Sequence, residues 1–385
     1  MTAPPRVYFV AGESSGDLHG ANLIRALRAQ RPEVECAGIG GTRMQQAGMT
    51  LHHDLASEAI MGFVEVVKSL GKIRTLFHDT LAKLREFRPD CLVLIDYPGF
   101  NIRLAAAAWP LGIPVVYYIS PQVWAWKKGR VHTLKRFCRR MLVILPFEQP
   151  LYEEVGLDCQ FVGHPLLDYL PQVELDGRYR GEMTIGLLPG SRAQEISRIL
   201  PVMLEVAEGI RRKHPEARFV APCVDEARAE QVRALVGDFP LEIDIGGAYE
   251  VLDGARFCMV ASGTATVETM LYETPMVVMY RVAPVTYWLA RMVVNVAHIG
   301  MVNILAGRRI VPEFVQHEAT VERVLPAALD LIADSPARAA MLQDLRSVKE
   351  GLGGPGASAR AAEAVLEIVD EHRRKALPAP GVTGA

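Results

Sequence analysis

The sequence predicts an α/β protein built from two Rossmann-like, doubly wound domains that face a central cleft. Short apolar runs bounded by turn residues alternate with helical patterns, which is typical of a parallel sheet covered on both faces. The runs form two series, the first containing RVYFVA and CLVLID and the second containing TIGLLPG and FCMVASG. A polar, turn-rich stretch at residues 165–182 separates the series, and a chain of 385 residues is too long for one ordinary core.

The predicted domain boundaries follow from these two series. The first domain covers residues 1–170, the second covers 171–345, a helical segment covers 346–375 and a disordered tail covers 376–385. The amphipathic pattern SARAAEAVLEIVDEHRRK in the helical segment predicts a helix with one apolar face. We expect that face to pack back on the first domain or on a partner chain, and the second arrangement would give a homodimer.

Composition restricts the class of protein. The net charge of −2 gives no reason to expect a nucleic-acid partner. Six scattered cysteines form no C-x-x-C pair, which indicates buried free thiols in a reducing compartment. The N-terminus enters a strand at once without signal-peptide architecture, and no apolar run reaches the roughly 18 residues of a spanning helix. We therefore expect a cytoplasmic protein that meets a membrane only from its surface.

The stretch VAGESSGDLHG, between the first strand and the first helix, lies where Rossmann-type proteins hold phosphates. Its glycines are spaced by fours, so the G-x-G-x-x-G fingerprint is absent and no dinucleotide cofactor is expected. The polar side chains of this stretch are Glu13, Ser15, Asp17 and His19, which surround Gly16. They suit a polyhydroxy or phosphorylated acceptor, although His19 alone also fits a surface histidine at a helix start.

Two aspartates flank the strand CLVLI in the first domain. Ligands of open parallel sheets bind beyond the carboxyl ends of the strands. Asp96 follows the strand and is expected to face the cleft, whereas Asp90 precedes it and lies at the far edge. Asp96 is therefore the better candidate for a general base.

Two glycine-containing turns in the second domain predict anion sites at helix N-termini. In LLPGSRAQEI, Gly190 makes the turn, Ser191 is expected to cap the next helix and Arg192 adds a guanidinium suited to phosphate. An ordinary capped helix with a surface arginine is the alternative reading. This turn and a second turn of the same kind together favour a site for a nucleotide diphosphate.

The second turn is SGTATVETM, in which Ser262, Gly263 and Thr264 open a helix. Glu268 follows Thr264 by four residues and so lies one turn along the same helix face. A carboxylate in that position can accept hydrogen bonds from a ribose, although a solvated helix position would look the same in the sequence.

Two further stretches suit a membrane surface. Trp124 and Trp126 precede a basic run that ends at Arg140, and mixed aromatic and basic residues suit an anionic membrane or a phosphorylated lipid. A solvated helix face competes with that reading. The segment from Glu58 to Leu76 is either a core helix or an interfacial patch that holds acyl chains. The residues of these stretches expected at the membrane are Ile60, Met61, Phe63, Val64, Val67, Lys68, Lys72, Trp124 and Trp126.

Several blocks of the chain resemble the lipid-A-disaccharide synthase family. They include AGESSGDLHGA, ISPQVWAWKKGRV, LPFE, FVGHP, LLPGSRAQEI, ASGTATVE, PMVVMYR and NILAGR, in order from about residue 7 to 310. The resemblance implies a glycosyltransferase B fold and a metal-independent, inverting enzyme. It also implies an enzyme bound peripherally to the inner face of the inner membrane of Gram-negative bacteria. The implied reaction joins UDP-2,3-diacylglucosamine to 2,3-diacylglucosamine 1-phosphate (lipid X), giving a β-1,6-linked disaccharide 1-phosphate and UDP.

The resemblance also implies residue roles. Asp96 would be the base, with His19 or Asp17 as less favoured choices, and Arg192 would stabilise the leaving UDP. Glu268 would hold the ribose and Asn303 would help to frame the donor pocket. The chain departs from the family pattern at Gly99, where some members carry an aspartate, and at Val302, where relatives often have proline.

Two other function classes remain open at this stage. A UDP-sugar 2-epimerase has the same predicted architecture but needs no apolar membrane-facing stretch. A non-enzymatic, nucleotide-regulated protein of the membrane surface would leave Asp96 without a role.

Overall fold

The computed structural model describes residues 3–56, 70–125, 129–170, 174–283, 287 and 297–376. The chain divides into two compact units. Unit 1 consists of Met1–Asp168 with Gly353–Ala385, and unit 2 consists of Tyr169–Leu352. The chain passes from unit 1 to unit 2 between Asp168 and Tyr169, inside the predicted linker. The C-terminal part of the chain returns to unit 1.

A parallel sheet forms the core of unit 1. Its strands within the described residues are β1 (Arg6–Ala11), β2 (Glu35–Gly40), β3 (Thr50–Asp54), β4 (Cys91–Ile95), β5 (Val115–Tyr118), β6 (Arg140–Val143) and β7 (Cys159–Phe161). Their spatial order is β3-β2-β1-β4-β5-β6-β7, so the order reverses between β1 and β4. Every residue of β4 and β5 is buried because helices cover both faces of the sheet. The reversal point is where ligands bind in doubly wound sheets.

Helices connect these strands. They are α1 (Ser14–Gln30), α2 (Thr42–Gln46), α3 (Leu70–Phe87), α4 (Pro98–Ala108), α5 (Arg130–Phe137), α6 (Glu148–Glu153) and α7 (Leu166–Tyr169). A 3₁₀ turn at Trp109–Leu111 extends α4. The apolar side of α3, α4 and α5 packs on β4, β5 and β6 in one hydrophobic cluster.

The C-terminal helix (Ala357–Ala376) packs against unit 1 of its own chain, mainly on α1. The buried residues of this helix include Ala357, Ala361, Ala362, Ala364 and Val365. Arg31 donates two hydrogen bonds to Asp370, at 2.6 and 3.0 Å. This is the first of the two arrangements expected for the apolar face of this helix. The helix begins one residue before the predicted amphipathic pattern, and residues 346–350 of the predicted helical segment belong to the preceding helix of unit 2.

A second parallel sheet forms the core of unit 2. Among the described residues its strands are β8 (Thr184–Leu188), β9 (Arg218–Cys223), β10 (Leu241–Ile245), β11 (Phe257–Ala261), β12 (Met276–Tyr280) and β13 (Glu313–Val315). The order is β10-β9-β8-β11-β12-β13. The helices are α8 (Ala193–Lys213), α9 (Glu226–Val236), α10 (Ala248–Gly254), α11 (Thr264–Leu271), α12 (Met301–Ala306), α13 (Val321–Ile332) and α14 (Pro336–Glu350), with a 3₁₀ turn at Gln316–Glu318. The predicted fold of two Rossmann-like sheets is confirmed.

Three strands were not predicted, namely β2, β3 and β13. The β2 sequence ECAGIG has two glycines and little apolar volume, and the β3 sequence TLHHD is mostly polar. The third, EFV, has only three residues. Because β3 and β13 lie at sheet edges, neither needs the apolar run by which a central strand is recognised.

All six cysteines are buried and free, as predicted. In the described part of the chain, no helix combines the length and apolar character needed to cross a membrane.

Candidate active site

The residues that follow the strands of unit 1 lie together at one edge of its sheet, which we call the carboxyl edge. Glu13 follows β1, Asp96 follows β4, Ser120 follows β5, and Glu148 and His164 follow β6 and β7. Strands β1, β4 and β5 are adjacent, so the sheet brings Glu13, Asp96 and Ser120 to neighbouring strand ends. Asp96 thus has the position that the sequence predicted.

Hydrogen bonds fix the backbone at Asp96. Asp96 and Tyr97 both have left-handed backbone angles, with φ of 43° and 47°. Nδ2 of Asn101 donates to the carbonyl oxygen of Asp96 at 2.8 Å, and the Tyr117 hydroxyl donates to the same oxygen at 2.6 Å. Left-handed angles in residues other than glycine are costly and persist where surrounding contacts impose them. The chain therefore maintains strain at the residue predicted to be the base.

The surroundings of Asp96 raise the pKa of its carboxyl group from 3.8 to about 6. Burial is the main cause, the negative charge of Glu13 adds to it, and a hydrogen bond from the Tyr97 backbone opposes it. A carboxylate with a pKa close to the working pH is suited to accept a proton during reaction. Geometry and electrostatics together favour Asp96 as the base.

The glycines of the opening stretch allow close packing. A Cβ atom on Gly12 would lie 2.4 Å from Cγ of Tyr97, and one on Gly16 would meet Cβ of Ala11 at 3.3 Å. Gly12 therefore makes room for the Tyr97 ring, and buried Gly16 lets α1 approach β1. Glu13 and Ser15 are exposed at the start of α1, which leaves both available to an acceptor.

Asp17 has a structural role, contrary to its prediction as an acceptor-binding residue and alternative base. Its carboxylate is buried and accepts hydrogen bonds from the backbone N–H groups of Gly41, Arg43 and Met44, at 2.9 to 3.1 Å. These groups begin α2, whose first N–H groups have no partners within the helix. Both oxygens are occupied in this way, so Asp17 is poorly placed to bind substrate.

His19 is also a poor base. The imidazole is only 8% exposed, and among the described residues its Nδ1 has no hydrogen-bond partner. Burial, with the positive charge of Arg43, lowers the pKa of His19 to about 4. The nearby His164 is buried as well, and its pKa falls to about 3. Both rings are neutral near pH 7, and a group with a pKa near 4 accepts a proton weakly.

Sequence reasoning did not single out Glu148, the last residue of LPFE. Its side chain is 1% exposed, and burial together with the charge of Asp96 raises its pKa to about 8. Oε1 accepts a hydrogen bond from Nε1 of Trp124 at 3.2 Å. A glutamate that follows a buried strand could have been found by the carboxyl-end rule that selected Asp96.

The expected membrane residues fall mostly outside the described part of the chain, namely Ile60, Met61, Phe63, Val64, Val67, Lys68 and Trp126. Lys72 is exposed near the start of α3. Trp124 is half-buried, with its N–H directed to Glu148 and its ring against Phe147, which differs from a residue facing a membrane.

Part of the predicted basic surface is also engaged within unit 1. Arg139 pairs with Glu371 at 2.9 Å, and Arg140 pairs with Asp158 at 2.7 Å and with Glu367 at 2.5 Å. These two arginines therefore fasten the C-terminal helix.

In unit 2, the turn after β8 forms at the predicted glycine. Gly190 has a φ of 109°, and a Cβ atom there would lie 2.3 Å from Oε2 of Glu195. The helix begins at Ala193, one residue later than a Ser191 cap requires, and its N-cap is Arg192. Ser191 is exposed and makes no capping bond. The Arg192 guanidinium is 57% exposed, at 3.4 Å from Glu195, and so remains accessible to an anion.

The second turn follows β11, the neighbour of β8, so both helix starts lie at adjacent strand ends. Gly263 is the N-cap of α11 and Thr264 is its exposed first residue. The Ser262 hydroxyl donates to the carbonyl oxygen of Ile299 at 3.0 Å. The exposed backbone N–H groups of two adjacent helix starts can bind a diphosphate.

Glu268 lies on α11 one turn beyond this start. Its Oε1 accepts a hydrogen bond from the Tyr249 hydroxyl at 3.1 Å. Burial raises the pKa of Glu268, and the hydrogen bond from Tyr249 offsets only part of this increase. Tyr249 is itself held between the rings of Tyr169 and Tyr272. Glu268 is thus a fixed, partly desolvated carboxyl group and not the solvated alternative.

Asn303 does not frame a pocket directly, contrary to its predicted role. It is fully buried. Nδ2 donates to the Val311 carbonyl and to Oε1 of Glu313, at 2.9 and 2.7 Å, and Oδ1 accepts from the backbone N–H groups of Ile310 and Val311. Both polar atoms of its side chain are occupied by these bonds, so Asn303 stabilises the conformation of residues 310–313.

No group of three or more His, Cys, Asp or Glu side chains within the described ranges is arranged to hold a metal ion. The groups of unit 2 available to an anionic ligand include the Arg192 guanidinium and the two helix starts.

Comparison with known proteins gives two results. A family model described as Lipid-A-disaccharide synthetase matches residues 7–368. The lipid-A-disaccharide synthase of Myxococcus xanthus is 40% identical over 383 residues, which cover 97% of this chain and 100% of that protein. The one from Syntrophus aciditrophicus is 41% identical over 373 residues, covering 94% and 97%.

Solved structures resemble the chain in fold. The S. aureus MnaA–UDP co-structure has a TM-score of 0.67 at 12% identity and covers 99% of this chain and 100% of its own. The UDP-GlcNAc 2-epimerase of Neisseria meningitidis, bound to UDP-GlcNAc, has a TM-score of 0.65 at 12% identity, with coverages of 94% and 100%. At such identities the similarity establishes the architecture alone.

Proposed function

The chain belongs to the lipid-A-disaccharide synthase family, and it is a glycosyltransferase of lipid A disaccharide synthesis. From this premise we propose its substrates and the roles of its residues. The donor is UDP-2,3-diacylglucosamine and the acceptor is lipid X. The products are the β-1,6-linked disaccharide 1-phosphate and UDP.

The chemical step is a single displacement with inversion. The acceptor 6-hydroxyl oxygen forms a bond to the anomeric carbon while the bond from that carbon to the diphosphate oxygen breaks. The leaving UDP takes the bonding electron pair, and the hydroxyl proton passes to Asp96. The observation that carries this assignment is the half-buried, conformationally constrained Asp96, whose pKa is raised to about 6.

Unit 2 supplies the groups that stabilise the leaving UDP. The Arg192 guanidinium and the N–H groups at the two helix starts can stabilise the negative charge that develops on the diphosphate. Glu268, held by Tyr249, accepts hydrogen bonds from the ribose hydroxyls. Glu13, whose charge acts on Asp96, and the exposed Ser15 contact the acceptor sugar.

We also propose that the enzyme acts at the inner face of the inner membrane, where it binds peripherally. Both substrates carry acyl chains, and a protein that takes them from a bilayer needs a surface contact. Exposed Lys72 is compatible with an anionic membrane surface. Binding to anionic vesicles that drops at high salt would support this location, and equal binding to neutral vesicles would contradict the electrostatic part.

The transferase is tested by following UDP release from UDP-2,3-diacylglucosamine with and without lipid X. We expect release only when lipid X is present, together with formation of the disaccharide. Equal turnover of non-acylated UDP-GlcNAc would favour a UDP-sugar 2-epimerase, the alternative with this fold. Donor binding without turnover would favour a non-enzymatic binding protein.

The role of Asp96 is tested by Asp96→Asn. The amide keeps the shape of the side chain but cannot accept the proton, so turnover should fall at least a thousandfold while UDP binding is retained. The exposed Asp79→Asn on α3 is the control and should remain active. A fully active Asp96→Asn enzyme would remove Asp96 from the mechanism.

A further inference from the structure

Glu148 joins two parts of the carboxyl edge of unit 1. It is the first residue of α6 and is 1% exposed. Its Oε1 accepts the Trp124 indole N–H at 3.2 Å, and the Trp124 ring meets the Phe147 ring edge-on with centroids 5.3 Å apart. A buried carboxyl group and the residue before it thus hold one indole by a hydrogen bond and a ring contact.

Trp124 belongs to a segment, Ser120–Ala125, that begins just beyond β5. Strand β5 lies beside β4, and the backbone N–H of Asp96 donates to the Tyr118 carbonyl at 3.2 Å. The Ser120 hydroxyl lies 2.5 Å from the Tyr152 hydroxyl of α6. Helix α6 therefore holds this segment at two points, next to the strand end that carries Asp96.

We propose that Glu148 is a positioning residue, which through Trp124 fixes the segment Ser120–Ala125 beside Asp96. The inference rests on the proposed role of Asp96 as base. It gives a role to a buried carboxyl group that the chemical step does not use.

The electrostatic surroundings predict a pH dependence. The negative charge of Asp96 at the end of β4 acts on Glu148, and Glu148 in turn acts on Tyr152 of its own helix and on Cys159 of β7. The hydrogen bond from Trp124, together with the neighbouring Leu145 backbone and Ser120 hydroxyl, partly offsets the effect of burial, and the pKa of Glu148 is about 8. At neutral pH Glu148 is thus uncharged beside an ionised Asp96. Above about pH 8 it gains a charge that its buried position disfavours.

Two variants of Glu148 separate its hydrogen bond from its ionisation. Glu148→Gln keeps an acceptor for the indole but cannot ionise. We expect its kcat at pH 7 to stay within about twofold of the wild type. Wild-type kcat should decline by about tenfold per pH unit above pH 8, and this decline should be absent in Glu148→Gln. Glu148→Leu removes the acceptor and should lower kcat at least tenfold with a smaller change in KM for UDP-2,3-diacylglucosamine.

Trp124→Phe provides a second route to the same result if Glu148→Leu folds poorly. It removes only the donor, so its kcat should fall by a similar factor, and the double variant should be no worse than either single one. Glu154→Gln, exposed at the end of α6, is the control and should match the wild type. Independent effects of the two substitutions, or wild-type kcat and pH profile in Glu148→Leu, would overturn the proposal.

Thermal unfolding gives a measurement that does not depend on turnover. Because the pKa of Glu148 is raised in the folded state, its contribution to stability is present at low pH and is lost as the pH rises toward 8. Glu148→Gln should therefore unfold at a higher temperature than the wild type at pH 9, and no such gain should occur at pH 5. If the unfolding temperatures of Glu148→Gln and the wild type differed equally at both pH values, a raised pKa of Glu148 would be contradicted. An active Asp96→Asn enzyme would instead contradict the base assignment and leave the Trp124–Glu148 coupling measurable.

Discussion

The ring of Tyr97 lies directly against the backbone of Gly12. A Cβ atom on Gly12 would be 2.4 Å from Cγ of this ring and 2.5 Å from Cδ1. Tyr97 follows Asp96, and both have left-handed backbone angles. The opening glycine stretch thus contacts the segment that holds the candidate base, and a side chain at position 12 must displace the ring.

Gly12→Ala should therefore impair catalysis more than folding. Overpacking of this size costs about 1–3 kcal/mol, whereas a shift of about 1 Å in a catalytic group can cost about a hundredfold in rate. We expect kcat to fall by about that factor while the protein still unfolds cooperatively. Kinetics and thermal unfolding measure the two effects.

A double-mutant cycle checks the cause. Tyr97→Ala removes the ring, so Gly12→Ala should have little further effect in that background. Gly71→Ala is a suitable control because a Cβ built there has no atom of the described residues within 4 Å. A full hundredfold effect of Gly12→Ala in the Tyr97→Ala enzyme would contradict the explanation.

Gly99 gives a test of the base that is specific to this chain. It is exposed, and no atom of a residue that the structure describes lies within 4 Å of a Cβ built on it, so Gly99→Asp should fold normally. A second carboxylate near Asp96 would raise the pKa of Asp96 further above its value of about 6, because like charges disfavour ionisation. Since the base must be ionised, the rise of kcat/KM with pH should move to higher pH.

The pH profile of kcat/KM measures this shift, with Gly99→Asn as the uncharged control. If the new aspartate itself became the base, the double variant Gly99→Asp, Asp96→Asn would be active. Activity in that double variant would show that either position can supply the carboxylate, and an unshifted profile in Gly99→Asp would contradict the coupling.

How far the sequence predicted the fold depends on local chemistry. Apolar runs such as those of β4 and β11 identify central strands because both of their faces are buried. Asp96 was located by the rule that ligands bind beyond the carboxyl ends of strands, because the apolar run of β4 showed where that strand ends. Neither pattern reveals β3, whose edge position removes the need for an apolar sequence.

The roles of individual polar residues were harder to predict. Asp17 and Asn303 both fall in family-like blocks, and both are occupied by backbone groups, those of the α2 start for Asp17 and those of its own loop for Asn303. Glu148 was missed because its burial and its contact with Trp124 depend on tertiary packing. Residue type and spacing show where a polar group lies along the chain, but its partners are fixed only when the strands assemble.

Arg192 should be essential for binding the leaving group. A hydrogen bond to a charged group contributes about 1.5–3 kcal/mol, so Arg192→Ala should weaken UDP binding by about 10- to 100-fold and also lower kcat. Arg192→Lys keeps the charge without the forked geometry and should recover part of the affinity. Titration calorimetry with UDP measures the first effect.

The control lies on the same helix. Arg212 is exposed at the far end of α8, so Arg212→Ala should bind UDP like the wild type. Unchanged UDP affinity in Arg192→Ala would place the diphosphate elsewhere.

Asn303 allows a structural role to be separated from a ligand-binding one. Asn303→Ala would leave the backbone N–H groups of Ile310 and Val311 and the Val311 carbonyl without their partner. Each unsatisfied buried group costs about 1–3 kcal/mol, and entering water would recover part of the sum. We expect a loss of about 3 kcal/mol in the free energy of unfolding, measured by urea denaturation.

UDP binding provides the contrast. Because the hydrogen-bonding atoms of Asn303 are directed to its own loop and to Glu313, UDP affinity of the folded Asn303→Ala protein should change by less than about threefold, measured at a temperature where the variant is folded. Asn303→Asp should also be destabilised, because it loses both N–H donors and places a charge beside the Glu313 carboxylate. A large loss of UDP affinity with unchanged stability in Asn303→Ala would instead restore the predicted role in the donor pocket.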